Sequence, residues 1–258
     1  MCTFGLLACG VLCLPFTPCI HATEQKPDLE KLFQTANERL DARDFAAAID
    51  GYNRILEAMP DADNVWINRA LAKWNLRDIS GARADLAQAL NVNPENPEAY
   101  RMRAAIRSEA REYAAADADM DKAISFAPEE PWFFGLRAEI RLALERLDEA
   151  RADLDRAIEL NDTFMEAYFL RATLLERQDA WQEAMADYSR VIELAPRHAD
   201  AINNRGWLRF HRLDWAGAIE DGRQVLELAP KAAVAMRLVG YAELAQGRFA
   251  DAATVLAE

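Results

Sequence analysis

The sequence predicts an all-α solenoid of antiparallel helix pairs, and three observations predict it. An alanine recurs every 34 residues, at Ala48, Ala82, Ala116, Ala150, Ala184, Ala218 and Ala252. Small and large apolar residues keep fixed offsets from that alanine. Proline recurs at one further offset, where each unit should end. A fixed period of this length marks a repeat architecture in which each unit packs on its neighbours. The interval never slips, which defines seven units in register: 29–62, 63–96, 97–130, 131–164, 165–198, 199–232 and 233–258.

Residues 1–22 precede the repeats and carry no Lys, Arg, Asp or Glu. An apolar run from Phe4 to Leu14 is followed by Pro15, Pro18 and the stretch Ile20-His21-Ala22. This is the pattern of a cleaved secretory signal, with the cut after Ala22, although no positive charge precedes the apolar core. The run is too short to span a bilayer. Leu6-Leu7-Ala8-Cys9 resembles a lipidation box, but the apolar stretch before Cys9 is too short to favour a lipoprotein. Residues 23–28 read as a linker, and the mature chain is expected to be secreted or periplasmic.

Within each unit, numbered so that the recurrent alanine is position 20, the choices follow packing. Position 8 is Ala36, Ala70, Ala104, Ala138, Ala172, Gly206 and Gly240. Positions 20, 24, 27 and 28 form one helical stripe. Small residues at 8 and 20 let two antiparallel helices approach closely, and large residues at 4, 17 and 24 fill the space around them. Position 32 is Pro60, Pro94, Pro128, Asp162, Pro196 and Pro230. Proline there stops the second helix of the pair. Gly222 takes position 24 of the sixth unit, predicting a gap or a closer approach by the seventh. In the seventh unit Val255 and Leu256 are expected to leave apolar surface exposed.

This pattern resembles the tetratricopeptide repeat family over residues 29–258. The resemblance implies a right-handed superhelix with a concave groove lined by positions 2, 5, 9, 12 and 13 of each first helix. Those positions carry Phe33, Trp74, Trp132, Phe169, Trp207, Phe210 and Tyr241, with His211 beside Trp207 on the same face. They also carry Glu30, Asp41, Glu98, Glu109, Glu139, Glu166, Glu176 and Asp200 against only Arg101, Arg177 and Arg237. Gly135, between Trp132 and Glu139, should open a pocket. Aromatic side chains on such a face suit interface anchoring, and the acidic excess favours a basic partner segment.

A second pattern accompanies the repeat. Position 7 is Arg69, Arg103, Arg137, Arg171 and Arg205, and position 23 is Asp85, Asp119, Asp153, Asp187 and Asp221. Both occur together in units two to six and both are missing from the end units, which carry Thr35 with Gly51 and Val239 with Val255. At about 100° per residue the two positions flank the helix contact, which predicts structural salt bridges. As half-exposed pairs they would contribute roughly 0–1 kcal/mol each.

Composition sets the remaining limits. The net charge is −13, which disfavours nucleic acid as a partner. All four cysteines precede residue 20, so neither a disulfide framework nor a thiolate metal site is expected in the repeats. No nucleophile elbow or phosphate loop occurs, a lone groove histidine reads as a polar contact, and no cofactor, metal or catalytic set is expected. No basic amphipathic face for a membrane is present. The expected function is non-enzymatic binding of a peptide or protein segment. The alternative is an assembly scaffold that dimerises or docks through its C-terminal unit.

Overall fold

The computed structural model describes residues 28–257. Fourteen helices follow one another there: α1 (Leu29–Asp41), α2 (Phe45–Ala58), α3 (Asp63–Asn75), α4 (Ile79–Val92), α5 (Pro97–Glu109), α6 (Tyr113–Phe126), α7 (Pro131–Ala143), α8 (Leu147–Leu160), α9 (Met165–Arg177), α10 (Trp181–Leu194), α11 (Ala199–His211), α12 (Trp215–Leu228), α13 (Ala233–Ala245) and α14 (Phe249–Leu256). The expected leader lies outside the described residues. Asp28, the last residue of the expected linker, caps α1 by accepting from the Lys31 amide.

Each first helix ends in the same way. Position 15 adopts positive φ in all seven units: Arg43, Arg77, Arg111, Glu145, Asp179, Leu213 and Gly247. Its amide bonds the carbonyl three residues back, and the next amide reaches five residues back, as in Arg43 to Leu40 and Asp44 to Arg39. This is a Schellman closure, and it satisfies the orphan carbonyls of the first helix. Asp44, Asp78 and Asp214 then cap the second helices by accepting from Ala47, Gly81 and Gly217.

The core runs the length of the solenoid as successive clusters. Position 8 is buried in every unit, and position 20 is fully buried against it. Position 24 plugs the interior with Tyr52, Leu86, Met120, Leu154 and Tyr188. Among the described residues, α3 touches α5, α5 touches α7, α7 touches α9 and α11 touches α13, whereas second helices are not in comparable contact. The first helices therefore lie on the inner, concave side.

The end units close differently. A Cβ on Gly51 would sit 2.9 Å from Ala36 Cβ, so α1 and α2 meet more closely than a side chain at position 23 would permit. Gly222 gives a close approach rather than a gap: its missing Cβ would lie 2.5 Å from Val239 Cγ2. Val255 is half-buried against the cluster of Ala218, Ile219, Leu238, Val239 and Ala242, correcting the expectation that it is exposed. Leu256 packs over Gly240 yet stays partly exposed.

Candidate binding groove and its supporting charge network

Position 7 arginines and position 23 aspartates meet in every unit where both occur. Arg69–Asp85, Arg103–Asp119, Arg137–Asp153, Arg171–Asp187 and Arg205–Asp221 are two-pronged, with donor–acceptor distances of 2.6–3.1 Å. The aspartates are nearly fully buried, so the pairs are not the half-exposed contacts the sequence suggested. A second cation from position 11 joins most of them: Lys73 on Asp85, Arg107 on Asp119, Arg141 on Asp153 and Arg209 on Asp221, at 2.6–3.0 Å. Leu175 replaces that cation in the fifth unit, and Asp187 relies on Arg171.

The same arginines tie neighbouring units together. The free Nη1 of Arg69, Arg137, Arg171 and Arg205 donates to Asn53, Asp121, Asp155 and Ser189, each at position 25 of the preceding second helix. Aromatic rings at position 4 carry the guanidinium plane: Arg69 lies 4.6 Å from the Trp66 centroid and Arg103 5.2 Å from Tyr100. The hydrogen bonds to Asp119 push the Arg103 guanidinium above its usual value against the opposing cost of desolvation, and those to Asp187 do the same for Arg171. At the last junction the polarity reverses. Position 25 is Arg223, and its Nη2 donates at 2.9 Å to the fully buried Glu243, while Arg248 Nε lies 2.6 Å from the other carboxylate oxygen.

The charge network holds the first helices in register and so sets the groove. Of its expected aromatic residues, Trp132 and Tyr241 stand out, 59% and 45% exposed. The others are half-buried, packed by residues of their own unit or of a neighbouring one. Phe33 tilts against Tyr52, and Phe169 sits 5.8 Å from Tyr188 and 5.0 Å from His198. Trp74 Nε1 donates at 2.6 Å to Glu109, whose other oxygen pairs with Arg77, and these bonds hold the Glu109 carboxyl below its usual range. Trp207 contacts Phe210, His211 and Tyr241, and His211 also meets Trp181 of α10 at 5.8 Å, forming one aromatic patch at the C-terminal end.

Of the three groove cations, Arg101 and Arg177 are not free for a ligand, whereas Arg237 is exposed. Arg101 is held by Glu98, and Arg177 by Glu145 of the preceding unit at 2.6 Å. Two tyrosines that the sequence placed only in the interior reach the groove through their hydroxyls. Tyr52 donates to Asn37 at 2.7 Å, and Tyr188 donates to Glu176 while accepting from Asn204. Burial pushes Tyr52 up to about 12, and the Glu176 carboxyl above its ordinary range despite the Tyr188 bond and the nearby His211. The available signal was a hydroxyl-bearing ring at a position otherwise held by Leu, Met or Gly.

Around Gly135 a cavity of about 250 Å³ opens between α5, α7 and α9. Phe164, which the sequence did not single out, lies against the glycine: a Cβ there would be 3.1 Å from the ring. Trp132 packs on Phe164 with centroids 4.6 Å apart. Glu139 and Glu166 line the same cavity. Glu139 is reached by solvent, yet the crowded apolar wall desolvates its carboxyl and raises it above the ordinary range.

Fold and groove together define a helical-repeat protein with a continuous inner surface, and the comparisons narrow that class. The tetratricopeptide repeat model matches residues 67–131, 136–199 and 203–258. The chain belongs to the tetratricopeptide repeat family. No curated protein matches it in sequence. Among solved structures it is similar to YrrB, described as a TPR protein with an unusual peptide-binding site, at 24% identity and TM-score 0.61, covering 72% of this chain and 96% of that one. It is similar to Pseudomonas aeruginosa PilF at 16% identity and TM-score 0.73, covering 81% and 95%. PilW, a type IV pilus biogenesis factor, aligns at 17% identity and TM-score 0.72, covering 82% and 98%.

Proposed function

We propose that this protein is a non-enzymatic adaptor that holds an extended peptide or protein segment in its concave groove, outside the cytoplasm. The observation that carries the reading is Trp132, a large ring left 59% exposed on the inner face where most other rings are half-buried. A rigid aromatic side chain offers contact area at low entropic cost, the usual character of an interface anchor. The acidic residues of the groove outnumber its cations, two of which are already engaged, and so favour a basic segment. Placement outside the cytoplasm rests on the leader-like residues 1–22. Selection of random peptides displayed on phage against the immobilised protein tests the reading. Enriched peptides that no longer bind when Trp132 and Tyr241 are both changed to alanine support it. Absence of any enrichment overturns it.

A second reading is docking through the C-terminal unit, and a specific observation favours it. Val234, Tyr241, Leu244, Phe249 and Leu256 are all exposed on α13 and α14. Exposed large apolar side chains concentrated in one unit suit an interaction site. A dimer in solution that dissociates with Phe249→Glu supports this reading. A monomer at all concentrations argues against it. Val255 is unsuited to the test because it packs in the core.

A further inference from the structure

Between α5, α7 and α9 the groove contains a site of different character from the rest of its surface. Its floor is apolar, made by Phe164, Leu136 and Leu170, and the exposed Trp132 forms one wall. The lack of a side chain at Gly135 lets the Phe164 ring approach the helix there, where a Cβ would lie 3.1 Å from it. Its rim carries Glu139 and Glu166, neither of which pairs with a cation among the described residues. The one cation at the rim, Arg101, is neutralised by Glu98. The site therefore presents an apolar cavity of about 250 Å³ bordered by uncompensated negative charge.

We infer that this cavity captures a lysine or arginine side chain of the bound segment, its stem packed on Trp132 and Phe164 and its cation paired with Glu139 and Glu166. An amphipathic side chain suits such a site because stem and head have opposite demands. The Trp132 face adds attraction for the cation. An acidic or purely aliphatic side chain would leave both carboxylates uncompensated, and burying them so is costly. The inference rests on the groove-binding reading above and names the chemistry of the residue that reading would place here.

Sequencing the peptides selected on the wild-type protein and on Glu139→Gln tests it. Both substituted positions lie on the groove surface, and unchanged helical circular dichroism verifies the fold of each variant. The expected result is a fixed Lys or Arg in the wild-type pool, lost in the Glu139→Gln pool. Replacing that residue by norleucine in a synthetic peptide should weaken binding roughly tenfold for wild type, and much less for Glu139→Gln or Glu166→Gln. Enriched peptides without a basic residue, or with one equally selected by Glu139→Gln, overturn the pocket assignment while leaving groove binding intact. No enriched peptides at all overturn both.

Discussion

At the scale of single residues, the buried aspartates make the tightest predictions. Each position 23 carboxylate is removed from water, so its worth lies in the cost of leaving it unpaired. Asp119 would keep Arg107 after loss of Arg103, but Asp187 would keep no cation after loss of Arg171. Arg171→Met should therefore cost about 3–5 kcal/mol, and Arg103→Met about 1–2 kcal/mol less, read from urea unfolding. Equal costs would show that the second cation contributes nothing. Glu176 gives a pH-dependent counterpart. Burial raises its folded-state carboxyl above the unfolded value. The folded state then holds the proton more tightly, so stability is lost as pH rises from the ordinary glutamate value through the raised one. Glu176→Gln keeps an acceptor for the Tyr188 hydroxyl and removes the ionisation. It should raise the melting temperature relative to wild type at pH 7 and not at pH 4. The pairing of Arg with Asp was legible in the sequence because the two vary together. The position 11 cations were also in register in four of those five units, but their contribution depends on the depth of the aspartate, which spacing does not reveal.

At the scale of the element, helix ends separate what sequence expresses from what packing imposes. The prolines at position 32 and the small residues at 8 and 20 act through local backbone and volume, so they read directly from the chain. The left-handed turn at position 15 does not, because six units fill it with Arg, Glu, Asp or Leu. Tertiary packing of the two helices forces the conformation, and the repeat tolerates its cost. A left-handed non-glycine residue costs about 1–2 kcal/mol, and glycine gives back about 0.5–1 kcal/mol through unfolded-state entropy. Leu213 is 71% exposed, so its side chain contributes little packing to offset that strain. Leu213→Gly should then stabilise the protein by about 0.5–1 kcal/mol in denaturant unfolding. The reverse change, Gly247→Leu, should destabilise the last turn by a similar amount. A destabilised Leu213→Gly protein would mean that the turn carries no strain.

At the scale of the whole molecule, the solenoid is a line of units whose stability is a sum of unit and junction terms. Its concave surface was legible as a set of positions, but not as a set of exposed groups. Exposure depends on what packs against each ring in three dimensions, which left Trp132 open while half-burying Phe169 beside Tyr188 and His198 and Trp207 beside Tyr241. The junctions also differ along the chain. Arg69, Arg137, Arg171 and Arg205 bind both their own second helix and the one before, a network that links most of the interior units. Among the described residues Arg103, with Ala87 at the preceding position 25, binds only its own second helix. The first unit replaces it with the close Gly51–Ala36 contact, and the last junction with Val239 on Gly222 and the reversed Arg223–Glu243 pair. The last unit also leaves Phe249 69% exposed, so α14 is held on one side only. Opening should therefore begin at the C-terminal unit, since a local unit with few buried contacts opens at low free energy. Native-state hydrogen exchange should show α13 and α14 exchanging first, α1 and α2 next, and α5 to α10 last. Binding of a groove peptide should slow exchange in the first helices it spans without protecting α14, whereas a dimer through the C-terminal unit should protect α14 most. Uniform protection from end to end would mean that the interior network does not set the order of opening.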